Sequence, residues 1–365
     1  MESTARVIET PLAEMHRADG ARLGTWFGCA LPDDFGDWLA EYRFARETVG
    51  VVDQNYRVYF DFTGPDRVRY LNAILTNNIK GLADHHGSVS LLLNPQGRIL
   101  AEIETYAFPE KVLAISYALI REPLIEVIEK YIIMDDVTLK DETEQRGTLA
   151  LEGPKAALCA SELTGLDVQN LSDLELRECA VVTIPCSIIK RTIAGVANVE
   201  FLVERRNLQQ LWNALLAAVK ERGGGATGYS ALNAARLEQG LPWFGYDFGD
   251  KQIPHEAGLQ DSHISYTKGC YTGQEIVERV RSRGQINRTR VLLKFDTAQL
   301  PVANTPLLSD AKEFGYVTSA AFSPVANGFI GMGYVRKERS AEGSPLEVTG
   351  GTATVYAKPL IAAGA

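Results

Sequence analysis

SVSLLLNPQGRILAEIETYAFPEKVLAISY, residues 88–117, decides the fold class. Three aliphatic runs, SVSLLL, RILAEIETY and KVLAISY, are separated by the short turns NPQG and FPE. Alternating runs joined by such turns predict a three-stranded antiparallel meander. The flanks on both sides are helical. Tyr42, Ala45 and Val49 follow Trp38 and Leu39 at helical spacing, which predicts an amphipathic helix over 37–49 closed by Gly50. Val58, Phe60 and Phe62 then alternate as a half-buried strand, and GPDRVRYLNAIL starts a second helix near Pro65. After the meander, REPLIEVIEKYII predicts a helix that buries Leu124, Ile125, Ile128 and Tyr131 or Ile132.

From 147 the same kinds of element return. A strand (GTLALEG), a helix from Pro154, strands at 180–193 and 198–203, and a helix through Leu208, Leu211, Leu215 and Val219 follow one another. RGGGATG at 222–228 reads as a loop. Beyond 285 helical spacing disappears, and RVLLKF, EFGYVTSAA, GFIGMGYV and TATVYA predict a small all-β terminal domain. No exact repeat is visible. The whole reads as α+β.

At roughly 150 residues per domain, 365 residues suggest two to three domains. The 37 basic and 46 acidic side chains leave a net charge of -9, which argues against general nucleic-acid or anionic-membrane binding. No apolar run reaches the roughly 18 residues of a membrane span, and MESTARVIET lacks a signal core, so a cytoplasmic protein is expected. Cysteines stand at 29, 159, 179, 186 and 270, without CxxC or zinc-ligand spacing, so no metal site is expected from local motifs. There is no GxxxxGK[ST], and GGGATG lacks the required lysine.

The densest chemical segments are RLEQGLPWFGYD (236–247), IPHEAGL (253–259) and KGCYTGQEIVERVRSR (268–283). In the plainer reading Arg236 and Glu238 are solvated charges at a helix end, and Lys268 and Cys270 belong to a loop. A thiol gains reactivity when a cation or a helix start stabilises its thiolate. Lys268 lies two residues before Cys270, and TGQEIVERV predicts a helix just after it with Thr272 as a cap. The other four cysteines read as core or surface filler. Arg279, Arg281, Arg283, Arg288 and Arg290 place five cations within twelve residues. They suit a polyanion such as a glutamate tail or phosphates, or form a solvated helix face paired with Glu275 and Glu278.

RLEQGLPWFGYD and PHEAGL resemble the RLEAGLxLYGxD and TPxEAGL segments of the glycine-cleavage T-protein, the tetrahydrofolate-dependent aminomethyltransferase. TPLAEMHRADGAR (10–22), VGVVDQN (49–55), LTNNI (75–79) and GYVTSAAFSPVANGFIGMGYV (315–335) extend the resemblance over about 10–360. Within that superfamily, KGCYTGQE (268–275) resembles the K-G-C-[YF]-x-G-Q-E signature of the YgfZ-type folate-binding proteins, which assist iron-sulfur cluster assembly. The resemblance implies a three-domain arrangement of antiparallel sheets, flanking helices and a C-terminal β-barrel around a folate-sized cavity. The expected division is 1–50 plus 147–285 for a folate-binding domain, 51–146 for a ferredoxin-like domain and 286–365 for the barrel, with segments exchanged between the first two.

By the same resemblance Glu200 receives the pterin ring and Arg236 lies near the ligand, with Phe244, Gln274 and Arg279 also expected at tetrahydrofolate or another reduced folate. Phe244 replaces the family tyrosine. Asp53 and Glu256 match acidic positions and are read as structural. Lys268 and Cys270 are the residues expected to act, on behalf of iron-sulfur assembly proteins or client 4Fe-4S enzymes. Where T-proteins carry Asp-Asp, this chain has Ala101-Glu102. A tetrahydrofolate-dependent one-carbon transferase, acting on a lipoyl carrier protein or demethylating an N-methyl compound, would have to use Glu102, and a folate sensor without chemistry is a third possibility.

Overall fold

The computed structural model describes residues 7–193, 195–284 and 286–361. They fall into two compact units. The first holds the chain up to Asn72 with Asn78–Val89 and Ile103–Leu232; the second holds Ala73–Asn77, Ser90–Glu102 and the chain from Asn233 on.

The first unit contains a six-stranded sheet in the order Leu176–Val181, Ile184–Ile193, Val196–Glu204, Arg146–Glu152, Gly50–Asp53 and Gly225–Ala226. Its ladders are antiparallel except the last, where Gly225 pairs parallel with Gly50. Two features depart from the pattern expected from sequence. The stretch 180–193 is one arm and part of the other of a hairpin, because Val182 takes a positive φ of 58° and turns the chain. The loop 222–228 contributes the edge strand Gly225–Ala226, whose pairing rests on backbone groups that carry no side-chain signal.

A five-stranded sheet carries the meander: Gly87–Leu93, Ile99–Ala107, Val112–Tyr117, Arg57–Thr63 and Thr138–Asp141, in that order. Arg57–Thr63 is not half-buried as its alternation suggests. All residues from Arg57 to Phe62 are buried, since the polar side chains also meet partners: Tyr59 bonds Thr148 at 2.6 Å, and Asp61 pairs with Lys111 and Arg146.

Helix Trp38–Glu47 begins where the Asp37 side chain accepts from the Ala40 N–H at 2.9 Å. It stops before Gly50, which enters the sheet. Helix Arg67–Ile74 follows the Gly64-Pro65 turn, and Arg121–Tyr131 buries Leu124 and Ile128, with Ile125 and Tyr131 only half-buried. Helix Leu208–Lys220 presents Leu208, Leu211, Leu215 and Val219 to the sheet as their spacing requires, and adds Trp212. These pack on Val51, Leu149, Leu151, Ile188, Val199 and Phe201, the main core of the unit.

The second unit is dominated by a closed six-stranded barrel: Arg288–Thr297, Gly328–Arg336, Lys312–Ser323, Pro306–Ser309, Pro345–Val348 and Gly351–Tyr356. Four strands were legible from sequence. Closure also needs the two four-residue strands that begin with proline. Leu293, Leu307, Val317, Val335, Leu346 and Val355 fill the interior. Among the described residues no helix is long and apolar enough to cross a membrane.

Trp212 is fully buried and packs edge-on against His16, centroids 4.6 Å apart, and against Phe35. Trp212→Ala should destabilise the first unit by about 3–5 kcal/mol. Guanidinium unfolding would read this as a lower midpoint at unchanged slope.

Candidate functional site

In the first unit five strands bring buried and half-buried charges together. Glu200 lies on Val196–Glu204 opposite Ala150 and Ile189, and is 3% exposed. Arg57 Nη2 donates to Glu200 Oε1 at 2.8 Å, while Nη1 donates to Glu104 Oε1 at 3.2 Å. Arg191 also pairs with Glu104, and its Nε lies 3.8 Å from Glu200 Oε1. Tyr106 donates its hydroxyl to Glu104 at 3.0 Å. Gln54 donates to a third acid, Glu152, at 3.3 Å.

Two guanidinium groups neutralise two carboxylates, and three are present. Burial raises Glu104, but Arg191 and Arg57 outweigh it and hold the group at about 2. Burial pushes Glu152 up to about 7, helped by the negative charge of Glu200. Glu200 is itself raised by burial, against the pull of Arg57. Glu104 therefore stays ionised, whereas Glu152 gives up its proton only around neutral pH. Among the buried polar atoms of this cluster that make no hydrogen bond is Glu200 Oε2, an acceptor. A buried acceptor left open costs stability unless a ligand or water supplies a donor. Asp53, nearby in sequence, is structural: its carboxylate meets buried His16 at 3.0 Å, and its carbonyl accepts from Tyr229.

In the second unit the loop 268–273 is braced from several sides. Lys268 Nζ donates to the carbonyls of Leu75, at 2.5 Å, and Asn77, at 3.0 Å, and lies 5.1 Å from the Tyr271 ring centroid. The ammonium expected to act on the thiol thus anchors the loop to the 75–77 segment. Thr76 completes the strut: its hydroxyl donates to the His263 carbonyl at 2.6 Å and accepts from the Leu91 N–H at 2.8 Å. Thr272 does not cap the following helix. Gln274–Arg283 has Gly273 as its N-cap, with φ 81° and no side-chain cap. A Cβ on Gly273 would stand 2.6 Å from the Asn94 carbonyl of the NPQG turn, so this position admits only glycine. Cys270 sits on this loop and is exposed; Cys29, Cys159 and Cys186 are buried and Cys179 is half-buried.

Glu102 follows buried Ala101 on the strand from Ile99. Its Oε1 is 2.9 Å from His263 Nε2, and His263 Nδ1 is 2.7 Å from the Ser262 hydroxyl. An ionised carboxylate only accepts, so Nε2 donates to Glu102 and, in the neutral ring, Nδ1 accepts from Ser262. Spacing gave no hint of His263, since 161 residues separate it from Glu102.

Arg236 is far from the solvated charge of the plainer reading. It is 4% exposed, pairs with Asp247, donates Nη1 to the Leu241 carbonyl at 3.0 Å and stacks over Trp243 at 4.6 Å. Asp247 in turn accepts from Thr318 and Ser319 of the barrel at 2.6 and 2.7 Å. Arg236 Nη2 is buried without a partner. Glu238, also buried, accepts from Ser323 at 2.6 Å. Phe244 is buried against Phe248. The arginine run does not form one patch. Arg279 and Arg281 pair with Glu275 and Glu278 on the helix face, whereas Arg288 binds Glu256 and Arg290 binds the carbonyls of Ala257 and Gly240. Glu256, held also by Arg98, is structural.

Of the residues expected at the site, Glu200 belongs to the first unit, and Glu102, Arg236, Phe244, Lys268, Cys270, Gln274 and Arg279 belong to the second. Gln274 is half-buried in the first turn of its helix, next to the Cys270 loop, and Arg279 is exposed on the same helix. Sequence reasoning missed Arg57, Arg191, Glu104 and Glu152, because a lone charge on a strand reads as a solvent-facing residue.

Two family profiles match most of the chain: the one described as the GCVT N-terminal domain matches residues 12–263, and the glycine cleavage T-protein C-terminal barrel domain matches 288–361. The chain belongs to the glycine cleavage T-protein family. Among curated relatives, an aminomethyltransferase of Desulfitobacterium hafniense (strain Y51) is 24% identical over 340 residues, covering 93% of both chains. One of Symbiobacterium thermophilum is 27% identical over 347 residues, covering 93% of this chain and 92% of the relative. The crystal structure of glycine cleavage system aminomethyltransferase T from Bartonella henselae has the same fold, with a TM-score of 0.87 over 98% of this chain and 99% of that one at 23% identity. The T-protein fold, with antiparallel sheets, helices and a closed barrel, is thereby shared.

A carboxyl group that binds its proton more tightly when folded stabilises the fold at low pH and loses that contribution as pH rises. For Glu152 the loss spans 4.5 to about 7. Glu152→Gln, which keeps an acceptor for Gln54 without a titrating proton, should flatten the decline in unfolding free energy across that window, measured by urea titrations at successive pH values.

Proposed function

We propose that this T-protein family member is a folate-binding accessory protein for the maturation of 4Fe-4S proteins, with Cys270 as its working thiol. The observation that carries the reading is the exposure of Cys270 on a loop that Lys268, Thr76 and Gly273 hold in place, while the other cysteines are buried or half-buried. A single thiolate does not complete a cluster site, so assembly proteins or client enzymes would supply the remaining ligands. Glu200 supports the folate part. Its open, buried Oε2 suits the adjacent amino and ring N–H donors of a pterin, and the fixed Oε1–Arg57 bond would keep the carboxylate oriented.

In a strain lacking this gene, the parent chain should restore 4Fe-4S enzyme activity and Cys270→Ala should not; full restoration by Cys270→Ala would sink the reading. Glu200→Gln should weaken tetrahydrofolate binding by about 10- to 100-fold in calorimetric titration, the loss of one charge-assisted hydrogen bond.

A second reading, tetrahydrofolate-dependent aminomethyl transfer from a lipoyl carrier, is favoured by the Glu102–His263 hydrogen bond. A histidine that donates to the carboxylate can fix its orientation and take part in proton traffic. On this reading the chain would release ammonia and methylene-tetrahydrofolate from an aminomethyl-lipoyl donor, and Glu102→Gln would lower that rate by about 10²- to 10⁴-fold.

A further inference from the structure

Cys179 and Cys186 read as filler in the sequence, yet the hairpin sets them directly opposite each other. They are cross-strand partners on Leu176–Val181 and Ile184–Ile193, with their sulfur atoms 3.5 Å apart. Directly opposed residues of an antiparallel pair have Cα atoms about 4.5–5.5 Å apart, within the range of about 4.4–6.8 Å found for disulfides. Both face the core of the six-stranded sheet: Cys186 belongs to it, and Cys179 packs against it from the edge strand. The pair therefore has a buried member and a half-buried one.

We propose that Cys179 and Cys186 form a peroxide-reactive dithiol that closes into a cross-strand disulfide, independently of Cys270. The half-buried sulfur is the attacking one. The hydrogen bond from Cys186 favours its thiolate, lowering the Cys179 pKa against the effect of burial. Cys186 moves the opposite way, first because it gives that hydrogen bond and then because it is buried. The Cys179 thiolate attacks hydrogen peroxide and breaks the O–O bond; with a proton from solvent, one water leaves and Cys179 becomes a sulfenic acid. The Cys186 sulfur then attacks the sulfenic sulfur. The S–O bond breaks, hydroxide takes the Cys186 proton and leaves as a second water, and the S–S bond forms. Peroxide gains two electrons and the dithiol loses two.

The product ties the edge strand to its neighbour, the strand that carries Arg191. The test is peroxide titration of the full-length chain and of its Cys270→Ser variant, with intact mass and peptide mapping after alkylation. The expected result in both proteins is loss of two hydrogens, a reductant-reversible cross-link between 179 and 186, and protection of those two thiols from alkylation. In a Cys186→Ser variant, Cys179 should stop at a sulfenic acid that a 1,3-dione probe captures. Both cysteines remaining alkylatable after peroxide, or Cys179 oxidised to sulfinic acid with Cys186 still free, would overturn the proposal, and the unmutated chain alone suffices to show either outcome.

Discussion

The constraint on which the first unit depends is the neutralisation of charge inside it. Arg57, Arg191, Glu104 and Glu200 come from four different strands, two in each large sheet. Burying such groups costs several kcal/mol per ion unless each finds an opposite charge and hydrogen bonds. Arg57 answers this by bridging Glu104 and Glu200, and Tyr106 adds a hydroxyl to Glu104. Alternative registers of these strands would separate the charges. The cluster therefore favours the observed strand pairing, and it holds Glu200 with one oxygen bonded to Arg57 and one open.

The second unit solves a different problem, that of holding irregular chain in a defined shape. RLEQGLPWFGYD is tied to the barrel by Arg236–Asp247 and by the hydroxyls of Thr318, Ser319 and Tyr334 on Asp247. The Cys270 loop rests on the backbone of Leu75 and Asn77 through Lys268, and on the Asn94–Gly97 turn through Gly273. Motif residues that resemble reactive groups in the sequence therefore divide into two kinds. Lys268 and Arg236 spend their hydrogen bonds on the chain itself, while Cys270 faces solvent. The hydrogen bonds separate the motif residues committed to the chain itself from the one left exposed.

Elements with strong local signals were legible residue by residue. The meander, the helix through Leu208, Leu211, Leu215 and Val219 and the long barrel strands follow from periods of 2 and 3.6, because one face of each meets the core. The hairpin at Val182 was not, since valine rarely adopts positive φ and nothing local announces a turn there. Gly225–Ala226 is equally silent, being a strand only because Gly50–Val51 offers its edge. The polar half of Arg57–Thr63 misled for a related reason: alternation marks two faces, but not whether the polar face meets water or other charges.

By itself the sequence determined the α+β class and an all-β terminal segment, because these rest on period, while the barrel and the interest of Glu200, Arg236, Glu102 and Cys270 came from contiguous motifs that resemble the T-protein family. Tertiary structure alone decided what each group touches. It set Arg57 and Arg191 beside Glu200, His263 beside Glu102 across 161 residues, and Cys179 against Cys186 across a turn without a signal. The physical reason is that hydrogen bonds and ion pairs act over a few ångströms in space, and only the folded backbone converts distance along the chain into distance between atoms.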